Sequence, residues 1–145
     1  MRVFDLPWPA WALLSAAFAA LTAVLGKVGV AQIDSNLATF LRTCVVLLFL
    51  AAMITAFGAW RPLTAVPGRS WLFLGLSGLA TGASWLCYYR ALKLGPAAGV
   101  ATLDKLSVVL VAVFAVAFLG ERLNGRNWLG VAMIAGGAVL VAWRR

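Results

Sequence analysis

The sequence predicts an all-α protein, a polytopic membrane bundle of five transmembrane helices. Five apolar runs, each about as long as the hydrocarbon core of a bilayer is thick, fill nearly all of the 145 residues. Hydrophobic residues make up 64% of the chain and charged residues 11%, and the mean hydropathy is +1.00. A water-soluble domain of this length cannot bury so much apolar surface. The expected solvent of the chain is therefore the lipid bilayer.

The spans are separated by short connections, and together they form one membrane domain over residues 1–145. We place them at roughly 8–30, 36–59, 70–92, 97–119 and 126–143. Each connection carries the Gly, Pro or polar residues that end helices: Gln32 to Ser35, Arg61 to Arg69, Lys93 to Pro96 and Gly120 to Gly125. The first run continues to Val30 and follows Asp5, so we expect an uncleaved span rather than a secretory signal.

Several functional classes are disfavoured by the polar residues. The chain holds 12 Lys and Arg against 4 Asp and Glu, but the basic residues stand singly or in pairs at helix ends, unlike a nucleic-acid-binding patch. There is no His, and Cys44 and Cys87 lie in separate spans, which leaves no metal-ligand spacing and no expected cofactor. We also find no nucleophile with a base and no paired carboxylates, so an enzyme is not expected.

The distribution of Lys and Arg gives only a weak instruction for orientation in the membrane. The side of the bilayer that holds the N-terminus carries Arg2, Arg61, Arg69, Arg122 and Arg126. The opposite side carries Lys93, Arg144 and Arg145, joined by Lys27, Arg42 and Arg90 if residues near helix ends are counted. Because neither side clearly dominates, insertion in both orientations is compatible with the sequence.

Charges inside the spans carry most of the functional signal. Asp104 and Lys105 lie about two turns inside the fourth span, where a charge costs roughly 2.5–3.5 kcal/mol. Successive helical residues point about 100° apart, so we expect these two not to pair on one face. Arg42, at a similar depth in the second span, is the preferred partner for Asp104. Lys27 is the second choice, although it is close enough to its helix end to reach the headgroups instead.

Two interpretations of these charges stay open. Seven charged residues gather toward the side opposite the N-terminus with a net charge of three positive: Lys27, Asp34, Arg42, Arg90, Lys93, Asp104 and Lys105. They form either a vestibule for anions with Asp104 as a titratable gate, or an ion-pair lattice that fixes helix register. Trp85, Tyr88 and Ser107 follow the same walls at helical spacing. Glu121, at the end of the fourth span, is a weaker gate candidate.

Small residues suggest how helices meet in lipid. Gly78-x-x-x-Gly82 and Ala132-x-x-x-Gly136 have the spacing that permits close backbone approach. Such spacings also arise by chance in helices rich in Ala and Gly. The fifth span, with Gly130, Gly136 and Gly137, is the candidate for a helix contact and for a dimer interface.

These segments also resemble a known family. The stretch CYYRALKLGPAAGVATLDKLSVVLVAVFAVAFLGERLNGRNWLGVAMIAGGAVLV is similar to the C-terminal half of an EamA domain, the repeat of the drug/metabolite transporter superfamily. The features that carry the likeness are an aromatic before Arg-Ala-Leu, Leu-Gly-Glu closing the fourth span, and Trp-x-Gly before Gly-Gly in the fifth. WALLSAAFAALTAVLGKVGV and SNLATFLRT fit the first half, and LDKLS is similar to the short, five-span bacterial/archaeal transporter type.

The resemblance implies a secondary transporter in the inner (plasma) membrane of a prokaryote. Two-domain relatives pair two inverted halves around a substrate, so a single half implies an antiparallel homodimer of dual topology. We expect it to carry a small polar or anionic metabolite with proton coupling through Asp104, while Arg42, Lys27 and Lys105 neutralise charge and Trp85 and Tyr88 line the path. The alternative is a non-transporting membrane subunit or assembly factor whose buried charges are structural.

The chain also departs from the family pattern in two places. Many EamA domains carry Pro near the middle of the fourth span, where this chain has Ser107-Val108, so a bend that depends on Pro is expected to be absent or relocated. The small multidrug resistance relatives carry a carboxylate in their first helix, whereas the only charge in this first span is Lys27. An identical cation/proton exchange site is therefore not expected.

Overall fold

The computed structural model describes residues 6–143, which fold as helices and short connections. The α-helices are α1 (Trp8–Gly29), α2 (Ser35–Ala56), α3 (Gly68–Leu94), α4 (Ala97–Asp104), α5 (Ser107–Leu119) and α6 (Gly125–Ala142), and a short 3₁₀ helix covers Leu63–Ala65. Five segments are long and apolar enough to cross a membrane, with α4 and α5 together forming the fourth, Ala97–Leu119. The predicted fold class is confirmed. Arg2, Asp5, Arg144 and Arg145 lie outside the described residues.

Helix ends follow the local chemistry of the sequence. Asp34 precedes α2, and its Oδ1 accepts hydrogen bonds from the N–H groups of Asn36 at 2.8 Å and Leu37 at 3.2 Å, which satisfies donors that a helix start leaves open. Asn124 caps α6 in the same way through the N–H of Asn127 at 2.9 Å. Gly120 ends α5 in the left-handed conformation, with φ of 69°, where a side chain would be strained.

The fourth span is interrupted between Asp104 and Ser107. The N–H of Lys105 donates to Thr102 O at 3.1 Å, that of Leu106 to Leu103 O at 2.9 Å, and that of Val108 to Lys105 O at 3.0 Å. These are i→i−3 bonds, the tighter 3₁₀ pattern, in place of the i→i−4 bonds of an α-helix. The interruption contains no proline. A 3₁₀ turn thus lies immediately before Ser107, while the expectation that the family's bend is absent or relocated stays a prediction.

The described helices fall into two compact units. One comprises residues 28–93, with α2 and α3; the other comprises residues 6–27 and 94–143. In the second unit α4 and α5 both pack against α6. The first unit contains the largest fully buried side chains of the described chain, those of Val30, Leu92 and Ser35.

Most large apolar side chains point outward, as lipid contact requires. Phe118 is 80% exposed and Leu140 is 76% exposed. The glycines of the Gly78-x-x-x-Gly82 motif also lack close neighbours. A Cβ atom built on either glycine would meet no heavy atom of the described residues within 4 Å, apart from its chain neighbours and the backbone of its own helix. Within its own unit this motif therefore makes no close approach to α2, and its packing against another helix stays a prediction.

Candidate functional site

The candidate site is built on one polar face of α2. Ser35, Thr39 and Arg42 follow each other at intervals of four and three residues, which places them on one side of the helix. Ser35 is fully buried and Thr39 is nearly so, whereas Arg42 is half-buried. The Thr39 hydroxyl donates to Ser35 O at 2.8 Å. Ser35 Oγ is buried with no hydrogen-bond partner among the described residues.

Arg42 extends from this face onto two aromatic rings of α3. Its guanidinium carbon lies 4.0 Å from the centroid of the Trp85 ring and 5.6 Å from that of Tyr89. Trp85 and Tyr89 are four residues apart and so lie on the same side of α3. Both distances are within the range of cation–π attraction. Two of the predicted site residues, Arg42 and Trp85, are therefore in direct contact.

Tyr89 was not among the predicted site residues, while its neighbour Tyr88 was. Tyr89 is buried and faces Arg42, and the Tyr88 ring meets it edge-on with centroids 6.3 Å apart. A signal for Tyr89 exists in the sequence, because it follows Trp85 by four residues, but Tyr88 follows by three and helical spacing permits either. The choice between them depends on the rotation of α3 about its axis.

The charge of Arg42 is not balanced by an acid of its own unit. Asp34 is the only acidic residue between 28 and 93, against five Lys and Arg. The Asp34 carboxylate is occupied at the start of α2: hydrogen bonds from the N–H of Leu37 and then of Asn36 lower its pKa from the usual 3.8. It lies eight residues before Arg42, about 12 Å along a helix. Asp104 belongs to the other unit, so its expected pairing with Arg42 stays a prediction.

Asp104 and Lys105 pair with each other, contrary to the expectation that adjacent residues would not. Lys105 Nζ lies 3.8 Å from Asp104 Oδ2. The contact is long, and both side chains stay largely accessible, at 41% for Asp104 and 55% for Lys105. The flexible lysine stem and the 3₁₀ turn at Lys105 bring together groups that a regular helix would separate. Ser107, the third predicted residue here, is the first residue of α5.

The two lysines near helix ends donate to backbone carbonyls. Lys27 Nζ donates to Gly95 O at 2.8 Å, and Lys93 Nζ donates to Ile33 O at 2.6 Å. Each contact satisfies a carbonyl in a connection, where helical partners are lacking. Lys27 thereby links the end of α1 to the connection before α4. Its predicted role in neutralising charge stays a prediction. Glu121 is exposed just after Gly120, in the place expected of a helix-end residue.

A partly open groove lies in the second unit at the start of α4. It measures about 290 Å³ and is lined by eight residues: Gly95, Pro96, Ala98, Gly99, Val100, Leu103, Val141 and Ala142. Its side chains are apolar, so it offers van der Waals contact without charge recognition. Among the described residues no group of His, Cys, Asp and Glu is placed to hold a metal ion.

Comparison with known proteins adds a family and three relatives. The EamA-like transporter family matches residues 6–143. A Sinorhizobium protein, named an uncharacterized transporter in the cobO 3′ region, is 67% identical over 93% of this chain and 96% of its own length. The Bacillus subtilis transporter YxxF is 29% identical over 93% of this chain, which corresponds to 42% of YxxF. No solved structure matches the chain.

The third relative carries a more specific name. It is a Pseudomonas fluorescens protein named as a probable 4-amino-4-deoxy-L-arabinose-phosphoundecaprenol flippase subunit, ArnE, and it is 30% identical over 66% of this chain and 94% of its own length. The family match covers all five candidate spans, and the Sinorhizobium relative is of nearly the same extent. The chain is an integral membrane protein that belongs to the EamA-like transporter family.

Proposed function

We propose that the protein is a secondary-active transporter of a small polar or anionic metabolite, coupled to protons through Asp104 and working as an antiparallel homodimer in the inner membrane of a prokaryote. The observation that carries this proposal is the position of Asp104. The only acid of the fourth span lies where that span leaves the α-helical hydrogen-bond pattern. Interrupted helices in transporters commonly form substrate and coupling-ion sites.

The local chemistry of the interruption suits a proton-coupled step. Asp104 is accessible and its contact with Lys105 is long, so protonation of the carboxylate would break no short ion pair. A carboxylate that exchanges between charged and neutral forms changes the free energy of its helix in the membrane. A 3₁₀ turn next to it offers a place where that change can alter the backbone.

The homodimer rests on separate observations. Lys and Arg are nearly balanced between the two sides of the bilayer, which favours insertion in both orientations. At Gly78 and Gly82 in α3, and at Gly136 in α6, a built Cβ would meet no side chain of the described residues within 4 Å, chain neighbours aside. Small residues of this kind let helices of two molecules approach closely. A second, inverted copy would complete the two-half arrangement expected for this family.

Flux measured in proteoliposomes tests the coupling role. We expect the Asp104→Asn variant to lose uptake driven by a pH gradient while it still exchanges substrate downhill, because the amide cannot carry the proton. Glu121→Gln is the matched control, since it removes an exposed carboxylate at a helix end, and it should keep gradient-driven uptake. Undiminished gradient-driven uptake by Asp104→Asn would remove Asp104 from the coupling mechanism.

Labelling of single cysteines tests the antiparallel dimer. In a background with Cys44→Ala and Cys87→Ala, one cysteine is placed at Thr64 or at Gln32, two exposed sites in successive connections. A membrane-impermeant maleimide added to sealed vesicles should label similar fractions at both positions, because each orientation presents one of them outside. Labelling of every copy at one position and of none at the other would contradict dual topology.

A second candidate function is supported by the ArnE relative. That protein is named a flippase subunit, and this chain matches 94% of its length. A subunit of a flippase for a lipid-linked substrate would act only with a partner chain, and its buried charges would be structural. The purified chain alone would then show no flux. The double change Asp104→Asn with Arg42→Gln should then restore the stability that either single change costs, without loss of any flux.

A further inference from the structure

We propose that Arg42, held over Trp85 and Tyr89, binds an oxyanion, a carboxylate or phosphate group, of the transported molecule. The inference deepens the proposed function and rests on it. It assigns the recognition of substrate charge to the contact between α2 and α3, separate from the coupling residue Asp104 in the fourth span.

The first argument is the unbalanced charge. Arg42 lies seven residues inside α2, about 10 Å from its start, at a depth where an isolated cation is costly. The single acid of its unit, Asp34, is engaged with the N–H groups of Asn36 and Leu37. A half-buried guanidinium that forms no ion pair with a carboxylate of its own unit gains free energy when an anion arrives.

The second argument is the geometry of the donors. A guanidinium is attracted to an aromatic ring through its charge, whereas its five N–H donors bind acceptors in its own plane. Contact with Trp85 at 4.0 Å therefore fixes the position of the group without using its donors on a competing acceptor. Carboxylate and phosphate oxygens match the spacing of these donors and bind them in pairs. Trp85 and Tyr89 are positioning residues in this site.

Direct binding of small anions by the purified protein in neutral detergent tests the assignment. Equilibrium dialysis at constant ionic strength measures the affinity for inorganic phosphate and for succinate. We expect wild type to bind one of them and Arg42→Gln to lose that binding. Arg42→Lys keeps the positive charge, so it serves as the second variant if Arg42→Gln does not fold. It should bind the anion at least about tenfold more weakly than wild type, because lysine lacks the planar set of donors.

A matched control separates this site from general attraction between charges. Arg69 also lies over a ring, with its guanidinium carbon 5.7 Å from the centroid of Phe73, but it is exposed at the start of α3. Arg69→Gln removes the same charge and should leave binding unchanged. Trp85→Phe should weaken anion binding modestly, and Trp85→Leu should weaken it more. The double variant Arg69→Gln with Phe73→Leu should leave the affinity for the anion unchanged.

A lipid headgroup can supply the same phosphate chemistry, so a second measurement identifies the source. Thermal unfolding is compared in nanodiscs of phosphatidylcholine with and without phosphatidic acid. A rise in melting temperature that requires Arg42, without binding of the soluble anions, assigns the site to a lipid-borne phosphate; binding of soluble anions assigns it to a solute. The proposal is overturned if neither probe shows an effect that depends on Arg42, or if Arg42→Lys binds as well as wild type.

These outcomes are independent of the flux assay. If wild type transports substrate under a pH gradient but shows no anion binding that depends on Arg42, only the inference about Arg42 is overturned. Anion binding that requires Arg42, in a protein that moves no substrate, would support the site and contradict the proposed transport.

Discussion

The guanidinium carbon of Arg42 lies 4.0 Å from the centroid of the Trp85 ring, which joins the second and third spans by a cation–π contact. We expect this contact to be worth about 1–2 kcal/mol of unfolding free energy, because it is partly shielded from water. A double-mutant cycle with Arg42→Gln and Trp85→Leu measures it as the coupling energy. The exposed pair of Arg69 and Phe73, at 5.7 Å, is the control and should couple by less than about 0.5 kcal/mol.

The cap at the start of α2 predicts a specific dependence of stability on pH. Hydrogen bonds to the Asp34 carboxylate lower its pKa below the usual 3.8, so the folded state favours the charged form. The cap therefore stabilises the protein fully above pH 3.8, and the contribution is lost as the pH falls through the lowered pKa. Melting temperatures of wild type and Asp34→Ala should differ at neutral pH and converge in acid.

Asp34→Asn is the matched variant for this cap. Asparagine is an equally good N-cap but does not titrate, so its melting temperature near neutral pH should be close to that of wild type. Relative to it, wild type should lose stability as acid is added. Parallel curves for the two proteins down to pH 3, on the order of one unit below the ordinary aspartate pKa, would contradict the assigned role of the carboxylate.

The left-handed residue at the end of α5 predicts opposite effects of two glycine substitutions. Gly120 has φ of 69°, so Gly120→Ala should lower the unfolding free energy by about 1–2 kcal/mol. Gly130 lies within α6, and a Cβ there would meet no described atom within 4 Å. Gly130→Ala should therefore raise stability by up to about 1 kcal/mol. Unfolding of the two variants in mixed micelles provides the comparison, and equal destabilisation by both would refute it.

The interruption of the fourth span predicts where proline is tolerated. Ser107 is the first residue of α5, a position at which proline costs little because helix starts leave N–H groups unpaired. Leu106 before it has helical dihedrals, which a following proline disfavours, so a small cost remains. Val111→Pro lies in the helix interior and should cost about 3 kcal/mol or more. Melting temperatures should therefore rank wild type, Ser107→Pro and Val111→Pro in descending order, and an equal loss in both variants would contradict the break.

The membrane fold could be predicted from the sequence because its causes are local. Runs such as 36–59 are long and apolar, and residues such as Asp34 and Gly120 mark helix ends by their own chemistry. The ends of the five observed spans lie within three residues of the predicted ones, although the break between α4 and α5 was not predicted. Since lipid accepts any apolar face, these features decide the spans without reference to tertiary contacts.

The contacts of the site were only partly predictable. The depth of Arg42 in its span was visible in the sequence, but its contact with Trp85 was not predicted. The choice of Tyr89 over Tyr88 depends on how α3 is rotated against α2. The pair of Asp104 and Lys105 was excluded on regular helical geometry. The pair forms where the backbone departs from α-helical geometry. The 3₁₀ turn contains no proline, so the sequence does not indicate where it lies.

The absence of proline at Lys105 and Leu106 also gives the fourth span a property that a proline bend lacks. Proline removes an N–H group permanently, so a helix bent by proline cannot recover the missing bond. Here the N–H groups of Lys105 and Leu106 both have a carbonyl partner, one residue nearer than in an α-helix. Straightening the span exchanges one acceptor for the next and loses no hydrogen bond. At Lys105 and Leu106, next to the carboxylate of Asp104, exchange between the 3₁₀ and α-helical patterns therefore leaves neither N–H group without an acceptor.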